Sequence, residues 1–269
     1  MPRVAAAPQS GLPSVAPGDS FVQSFARGLA VIRSFNAEAP SQTLSEVAAR
    51  TGMTRAGARR ILLTLQTLAY VEQRDKRFWL TPKILDLGFA YLSALPLWHL
   101  AEPAMSRLVA DVQESCSIAV LDGAEIVYVL RVPTRKIMHI NLGVGSRLPA
   151  YCTSMGRVLL AGLPQQRVRQ LLGTAALPRQ TRHTVTKPAA LLKLVQQARE
   201  QQWSLVAEEL EEGLVSLAVP VLDRAGTCVA AMNIGSQLNR TPPQHMIDNF
   251  LPRLQEASAE ISAMLRVRS

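Results

Sequence analysis

The chain has 269 residues, 48% of them apolar, and a formal net charge of +9. That length accommodates two domains and a sizeable core, and the positive balance is read either as a site for a polyanionic partner or as an ordinary solvated basic surface. No uncharged apolar run approaches the roughly 20 residues of a membrane span, since the longest candidate, Leu87 to Ala101, holds Pro96 and His99.

Residues 1–20 are rich in Pro, Ala, Ser and Gly and lack the apolar stretch of a secretory signal. They read as a disordered tail on a cytoplasmic protein. Cys116, Cys152 and Cys228 are odd in number, far apart and without CxxC spacing. His99, His139, His183 and His245 share no metal-ligand spacing. Neither a disulfide framework nor a metal site is expected, and no cofactor is implied.

Residues 21–82 carry nine Lys/Arg against four acids, whereas residues 83–269 carry 19 against 15. The positive excess is therefore concentrated near the N-terminus. Ser24 to Asn36 places Phe25, Leu29, Ile32 and Phe35 at helical spacing, with Ser24 as a cap. Ala37-Glu38-Ala39-Pro40-Ser41 ends that helix. A second helix opens at Thr43-Leu44-Ser45-Glu46, capped by Thr43 or Ser45. Gly52 ends it inside the short turn Thr51-Gly52-Met53. A third runs from Thr54 to about Ala69, with Ala58, Ile61, Leu62, Leu65 and Leu68 on one side. Arg55, Ala56, Arg59 and Arg60 fall on the other side of its first turns.

Two helices joined by a short Gly-containing turn, with arginines opening the second, make a helix-turn-helix whose second helix enters a major groove. The charged turn Glu72 to Arg77, between Tyr70-Val71 and Phe78-Trp79-Leu80-Thr81, reads as a hairpin, the wing, whose cations lie along phosphates. Candidate DNA-binding residues are Arg27, Thr54, Arg55, Arg59, Arg60, Arg74, Lys76 and Arg77. The bland alternative for the arginines is a solvated helix face.

Pro82 to Leu95 reads as a helix with Ile84, Leu87, Gly88, Tyr91 and Leu92 on one stripe. Residues 83–95 are thus a linker helix whose apolar stripe packs on a second subunit or on its own wing. After Pro96 a helix continues through Leu100, Met105, Leu108, Val109 and Val112. Strands follow at Ser117 to Leu121 and Ile126 to Leu130 around the turn Asp122-Gly123, and again at Ile137 to Leu142. Helices are expected from Thr153 or Ser154, from Pro164 to Leu172, and from Pro188 to Gln202 with Thr186 as cap. Strands Leu214 to Leu222 and Thr227 to Ile234 flank the turn Asp223 to Gly226. A last helix starts at Pro242-Pro243 and bends at Pro252. Residues 96–269 form an α+β domain with an antiparallel sheet.

The chain resembles the IclR family of bacterial regulators, in particular its branch controlling aromatic-acid and β-ketoadipate catabolism. The resemblance runs from about Phe21 to Arg266. It is carried by Gln23-Ser24-Phe25-Ala26-Arg27-Gly28-Leu29-Ala30-Val31-Ile32 and by Arg131-Val132-Pro133-Thr134-Arg135. It is carried equally by Leu148-Pro149-Ala150-Tyr151-Cys152-Thr153-Ser154-Met155-Gly156-Arg157 and by Glu208-Glu209-Leu210-Glu211-Glu212-Gly213-Leu214.

It implies an N-terminal all-α winged helix-turn-helix joined by the linker helix to a GAF-like effector domain. It also implies a double-stranded DNA operator, a small organic acid effector, and a homodimer or dimer of dimers. Carried onto this chain, it implies effector-binding positions at Ile137, Ile140, Leu148, Ser154, Met155, Leu214, Ser216, Asn233 and Gly235. The first turn of a helix at Thr153 or Ser154 offers unpaired N–H groups to a carboxylate. Ser216 and Asn233 are polar residues within apolar strands and need partners, a ligand or nearby backbone. The chain departs from the branch in having Val215 where Arg is usual and Ala207 where Asp is usual, and Arg131 or Arg147 can supply the missing charge.

Two other readings stand beside a ligand-responsive transcription regulator. One is a ligand-independent DNA-architectural protein. The other is a hydrolase using Cys152 as nucleophile, its pKa lowered by the helix N-terminus, and His183 as base.

Overall fold

The computed structural model describes residues 21–94, 96–134 and 142–268, without the side chains of 96–100 and 267–268. The predicted tail and the strand residues Ile137 and Ile140 lie outside the described residues. The chain divides between Tyr91 and Leu92 into two compact units. Among the described residues, no helix is long and apolar enough to cross a membrane.

The first unit contains α1 (Gln23–Ser34), β1 (Ser41–Thr43), α2 (Leu44–Thr51), α3 (Arg55–Thr67), β2 (Val71–Arg74), β3 (Arg77–Leu80), a 3-10 turn (Pro82–Ile84) and α4 (Leu85–Ser93). Its core is Val31, Phe35, Val47, Ala48, Ala58, Leu62, Leu65, Val71 and Phe78. The predicted helices are present, with three differences in detail. Ser24 is not a cap: α1 starts after Val22, which makes no side-chain cap bond. The face of α1 that enters the core is Ala26, Val31 and Ser34, leaving Phe25 67% and Leu29 42% exposed. Leu68, placed on the inner side of the third helix, is the exposed C-cap of α3.

The strand β1 has no signature of its own. Three residues are too few to show alternation, and they become a strand only because β3 pairs with them, giving the order β1-β3-β2.

The second unit contains α5 (Pro96–Val112), β4 (Ser115–Asp122), β5 (Glu125–Val132), β6 (Arg147–Pro149), a 3-10 turn (Ala150–Cys152), α6 (Ser154–Ala161), α7 (Gln165–Leu172), α8 (Pro188–Gln201), β7 (Ser204–Ala207), β8 (Leu214–Leu222), β9 (Cys228–Gln237), α9 (Pro243–His245), a π-turn (Met246–Phe250) and α10 (Leu251–Arg268). Six antiparallel strands run in the order β6-β5-β4-β9-β8-β7. The hairpin turn lies at Gly123-Ala124, one residue later than expected, because Asp122 pairs with Glu125 and Gly123 takes φ 62°. The cap of α8 is Lys187 rather than Thr186, and it makes no side-chain bond. Pro252 has no N–H for the carbonyl four residues back, and the helix widens into the π-turn just before it.

Alternation along the strands sends side chains to two cores. Val215, Leu217, Val219, Met232 and Ile234 join Met105, Leu108, Leu254 and Ile261 on the face covered by α5 and α10. Ala218 and Ala231 meet Met155, Leu159, Leu160, Leu191 and Val195 on the face covered by α6 and α8. Val215 thus belongs to the α5–α10 core.

The start of α6 lies almost on the backbone before it. A Cβ at Gly156 would stand 2.1 Å from the carbonyl oxygen of Ala150. Gly156→Ala must push the helix off that turn, and we expect it to destabilise the second unit by about 1–3 kcal/mol. The readout is the thermal unfolding midpoint, and an unchanged midpoint would contradict this close approach.

Candidate functional site

In the first unit, the turn between α2 and α3 is built from local hydrogen bonds. The Glu46 N–H donates to Thr43 Oγ1 at 3.3 Å and the Thr43 N–H donates to Glu46 Oε2 at 2.6 Å, a capping box. The bond from the Thr43 backbone, then that from its side chain, holds the Glu46 carboxyl below its usual range. Gly52 closes α2 at φ 65°, where a side chain would be strained. The Thr54 hydroxyl then accepts from the Gly57 N–H at 3.1 Å and caps α3.

This geometry turns Ala58, Leu62 and Leu65 inward and leaves Arg55, Arg59 and Arg60 exposed on the first turns of α3. Arg27, Thr54, Arg74 and Lys76 are exposed too. Arg74 bridges Glu72 at 3.0 Å and lies over the Trp79 ring at 5.9 Å. Arg77 is different. Its Nε donates to Ser41 Oγ and its Nη2 to the Ser41 carbonyl, both at 2.9 Å, and Nη2 lies 3.4 Å from Glu46. It ties the hairpin to β1 and α2 while its side chain stays 43% exposed.

In the second unit, a cavity enclosing about 510 Å³, its open mouth included, lies on the α6 side of the sheet. Among the predicted effector positions, Ser154, Met155, Leu214, Ser216, Asn233 and Gly235 line it. Leu148 does not. From β6 it pairs with Ile126 of β5 and packs with the α6–α8 core. Arg147 is also elsewhere, bound at 2.7 Å to Asp122 and at 2.8 Å to Glu125. The cavity is lined in addition by Tyr128 and Arg131 from β5, Thr153 at the α6 cap, and Glu208 and Glu209 from the loop before β8.

Alternation along β5 is the signal that would have put Tyr128 beside the expected strand positions. The acids were hidden because a run of four carboxylates reads as a solvated loop. Val215, where an arginine is usual in the branch, points into the core on the opposite face, so its identity does not alter the cavity wall.

The rim of the cavity is held by one buried ion pair. Arg157 Nη2 lies 2.7 Å from both carboxylate oxygens of Glu209, with the two side chains 4% and 9% exposed. Arg157 Nε donates to the Tyr151 carbonyl, and Glu209 Oε2 accepts from the Val185 N–H. At the preceding position Glu208, at φ 59°, accepts from the Gly213 N–H at 3.0 Å. The first turn of α6 faces the cavity with Thr153 taking the Gly156 N–H, which leaves the N–H groups of Ser154 and Met155 without intrahelical partners. The Ser154 and Ser216 hydroxyls bond each other at 2.9 Å. Arg131 is the one basic side chain among the described residues that line the cavity, and its Nη1 donates to Ser117 Oγ at 3.0 Å. Burial pushes the Tyr128 phenol up to about 12, against the opposing charge of Arg131, so it stays a neutral hydroxyl.

The same cavity disfavours a nucleophilic Cys152. Burial, reinforced by the Glu209 charge, pushes its thiol up to about 12 rather than down, and its place beside the α6 N-terminus does not offset this. His183 lies on the surface, engaged by Arg182 and 3.7 Å from Glu208.

Residues 24–75 match the IclR helix-turn-helix domain, and residues 89–263 match the bacterial transcriptional regulator IclR C-terminal. The chain belongs to the IclR family. It is 38% identical over 265 residues to the Pca regulon regulatory protein of Pseudomonas putida, covering 98% of this chain and 91% of that one. It is 35% identical over 248 residues to the p-hydroxybenzoate hydroxylase transcriptional activator of Acinetobacter baylyi, covering 90% and 92%. Among solved structures, a transcriptional regulator from Rhodococcus sp. RHA1 superposes with a TM-score of 0.85 at 43% identity, covering 93% of this chain and 100% of that one. An IclR homolog from Microbacterium hydrocarbonoxydans complexed with 4-hydroxybenzoate superposes with a TM-score of 0.81 at 26% identity, covering 91% and 99%. Family and relatives are transcriptional regulators, not enzymes.

With Cys152 and Cys228 pushed up to about 12 and Cys116 also raised by burial, the thiolate is scarce in the folded state. Iodoacetamide at pH 8 should alkylate the native protein slower than the unfolded chain by roughly tenfold or more. Rapid labelling of Cys152 in the native protein, followed by mass spectrometry, would contradict this environment.

Proposed function

We propose that the protein is a transcription regulator of aromatic-acid catabolism genes whose grip on a double-stranded operator is adjusted by a small aromatic acid. The observation that carries this reading is the coexistence of two sites: an outward arginine face on α3 and a separate cavity with a cation and a helix N-terminus on its wall. Arginine has a fork that matches the two acceptors of guanine, and the start of a recognition helix is where base edges are reached. In this reading Arg55, Arg59 and Arg60 face the groove, while Arg27, Thr54, Arg74 and Lys76 touch the backbone. A carboxylate is favoured in the cavity by Arg131 and by the N–H groups of Ser154 and Met155. The names of the relatives support an aromatic-acid circuit, and the neighbour with 4-hydroxybenzoate supports the class of ligand.

The protein works as a dimer or dimer of dimers in the cytoplasm. Val22 just before α1, Phe25 and Leu29 on α1, and Leu85, Phe89 and Tyr91 on α4 are exposed apolar side chains, and a second copy is the natural cover for them. Half-sites about 34–36 Å apart per helical turn make operator affinity sensitive to the separation of the paired helices. The effector acts through its differential affinity for two such separations.

Arg59→Ala should weaken operator binding by about 1–3 kcal/mol and relax sequence preference, whereas a phosphate contact would lose affinity uniformly on all duplexes. Arg77→Ala should instead lower the thermal midpoint, because it unties β1 from the hairpin. Fluorescence anisotropy on operator and random duplexes, with melting curves, separates the two. A ligand at 100-fold its Kd stabilises by about 2.7 kcal/mol, so hydroxybenzoates in excess should raise the midpoint of the second unit. No shift with any aromatic acid would defeat the sensor assignment.

A further inference from the structure

Within the first unit, α3 and the start of α4 are joined by a polar clasp. α3 ends at Thr67, and the carbonyls at a helix C-terminus need donors from elsewhere. Here three consecutive carbonyls are met from two residues just before α4. Lys83 Nζ donates to the Leu68 carbonyl at 3.1 Å, the Thr81 hydroxyl to the Ala69 carbonyl at 2.6 Å, and the Thr81 N–H to the Tyr70 carbonyl at 2.9 Å. The Lys83 ammonium also stands 5.2 Å from the centre of the Tyr70 ring, a cation–π contact. Its charge lies at the negative end of α3. Ala69 holds φ 61°, a left-handed conformation that a non-glycine residue keeps only where its surroundings fix it.

The segment that carries the donors is stiff. Val71 pairs with Leu80, so the bond between Thr81 and Tyr70 extends the hairpin ladder by one rung. Pro82 fixes its own φ, and the Ile84 N–H closes the turn on the Thr81 carbonyl at 3.2 Å. α4 continues from that turn at Leu85. Among its described residues none is buried, and Leu85, Leu87, Phe89 and Tyr91 are each half exposed or more. Leu92 already packs with the core of the second unit. Burial within the first unit therefore does not set the direction in which α4 leaves it; the clasp at its root does.

We propose that Thr81 and Lys83 are positioning residues for DNA binding. They fix the angle between α3 and α4, and with it the spacing at which the arginine faces of two copies meet one duplex. This rests on the two-copy reading above and names the contact that sets the spacing. α4 is nine residues long, so a tilt of about 20° at its root would carry its far end roughly 5 Å, at 1.5 Å of rise per residue. That exceeds the rise of about 3.4 Å between base pairs along one strand. Two linked sites gain avidity only when both can engage at once, so a loose root would blur the distance between half-sites that the protein accepts. Thr81 and Lys83 act through α3 and touch no base.

The test is fluorescence anisotropy of the full chain on three duplexes: both half-sites as footprinting defines them, the same pair moved apart, and one half-site alone. The insertion is about five base pairs, half a helical turn, which puts the half-sites on opposite faces of the duplex. The wild-type protein should lose roughly tenfold or more in affinity on the lengthened duplex, as loss of simultaneous engagement requires. Lys83→Met combined with Thr81→Val removes both side-chain donors and keeps their bulk. That variant should bind the single half-site within about twofold of wild type, since neither side chain contacts the bases or the backbone. Its penalty for the insertion should fall to about threefold or less, because a loose root accommodates the new spacing. Lys83→Arg, which keeps a cation and a donor, should retain the wild-type penalty. Lys83→Met alone, a change at an exposed side chain, decides the question should the double variant fail to fold. Variants that discriminate spacing as sharply as wild type would overturn the inference. So would an equal loss on all three duplexes, which marks Lys83 as a phosphate contact. A wild-type protein that binds one half-site as tightly as two would overturn the two-copy reading and this inference with it.

Discussion

The buried pair between Arg157 and Glu209 is the constraint on which the sensing unit depends. Arg157 projects from α6 and Glu209 from the loop that precedes β8, so one ion pair joins the helix over the sheet to the loop at its edge. Two charges at this depth are tolerable only when each is fully hydrogen-bonded, and removing either would leave the other stranded at a cost of about 3–5 kcal/mol. Here the remaining hydrogen bonds come from the Tyr151 carbonyl and the Val185 N–H. The pair therefore fastens four segments at once. These bonds tie the cavity wall on that side, and Gly156 lets α6 lie against the Ala150 backbone.

A similar device works on a smaller scale in the DNA-binding unit. The helix pair is short, eight residues in α2 and 13 in α3. Helices of that length are marginal alone and depend on caps and packing. Thr43, Glu46, Gly52 and Thr54 supply the caps. Arg77 reaches from the hairpin to Ser41 and Glu46, and so joins the wing to the capping box itself. One arginine of the hairpin thereby also serves as a strut, with part of its side chain still exposed.

Much of this was legible in the residues. Helical periodicity located α2, α3, α7 and α8 to within a few positions, and the strands β8 and β9 declared themselves through their apolar runs and the turn between them. The exposed arginines of α3 followed from rotation about a helix whose inner face is Ala58, Leu62 and Leu65. Six effector positions on α6, β8 and β9 fall on one cavity. What escaped was whatever lacks a local signal. Three- and four-residue strands such as β1, β6 and β7 exist only through their partners. The apolar stripe of Phe25 and Leu29 has the spacing of a core face and is instead exposed, because periodicity reports that a face is apolar and not what covers it. The electrostatics of Cys152 ran opposite to expectation, because burial and an adjacent carboxylate outweigh a helix dipole that acts only over the first turn.

Caps, turns and the alternation of apolar residues are short-range properties, so the order of helices and strands, the arginine face and the family were all written in neighbouring residues. Which partner each side chain meets is a long-range property. The engagement of Arg77 by Ser41, the burial of Glu209 within an acidic run, and the placement of Val215 on one face of the sheet with Asn233 on the other arise only when strands distant in the chain come into register. Those contacts are made across tens of residues, where sequence spacing carries no distance information, and it is there that the cavity acquired its charge.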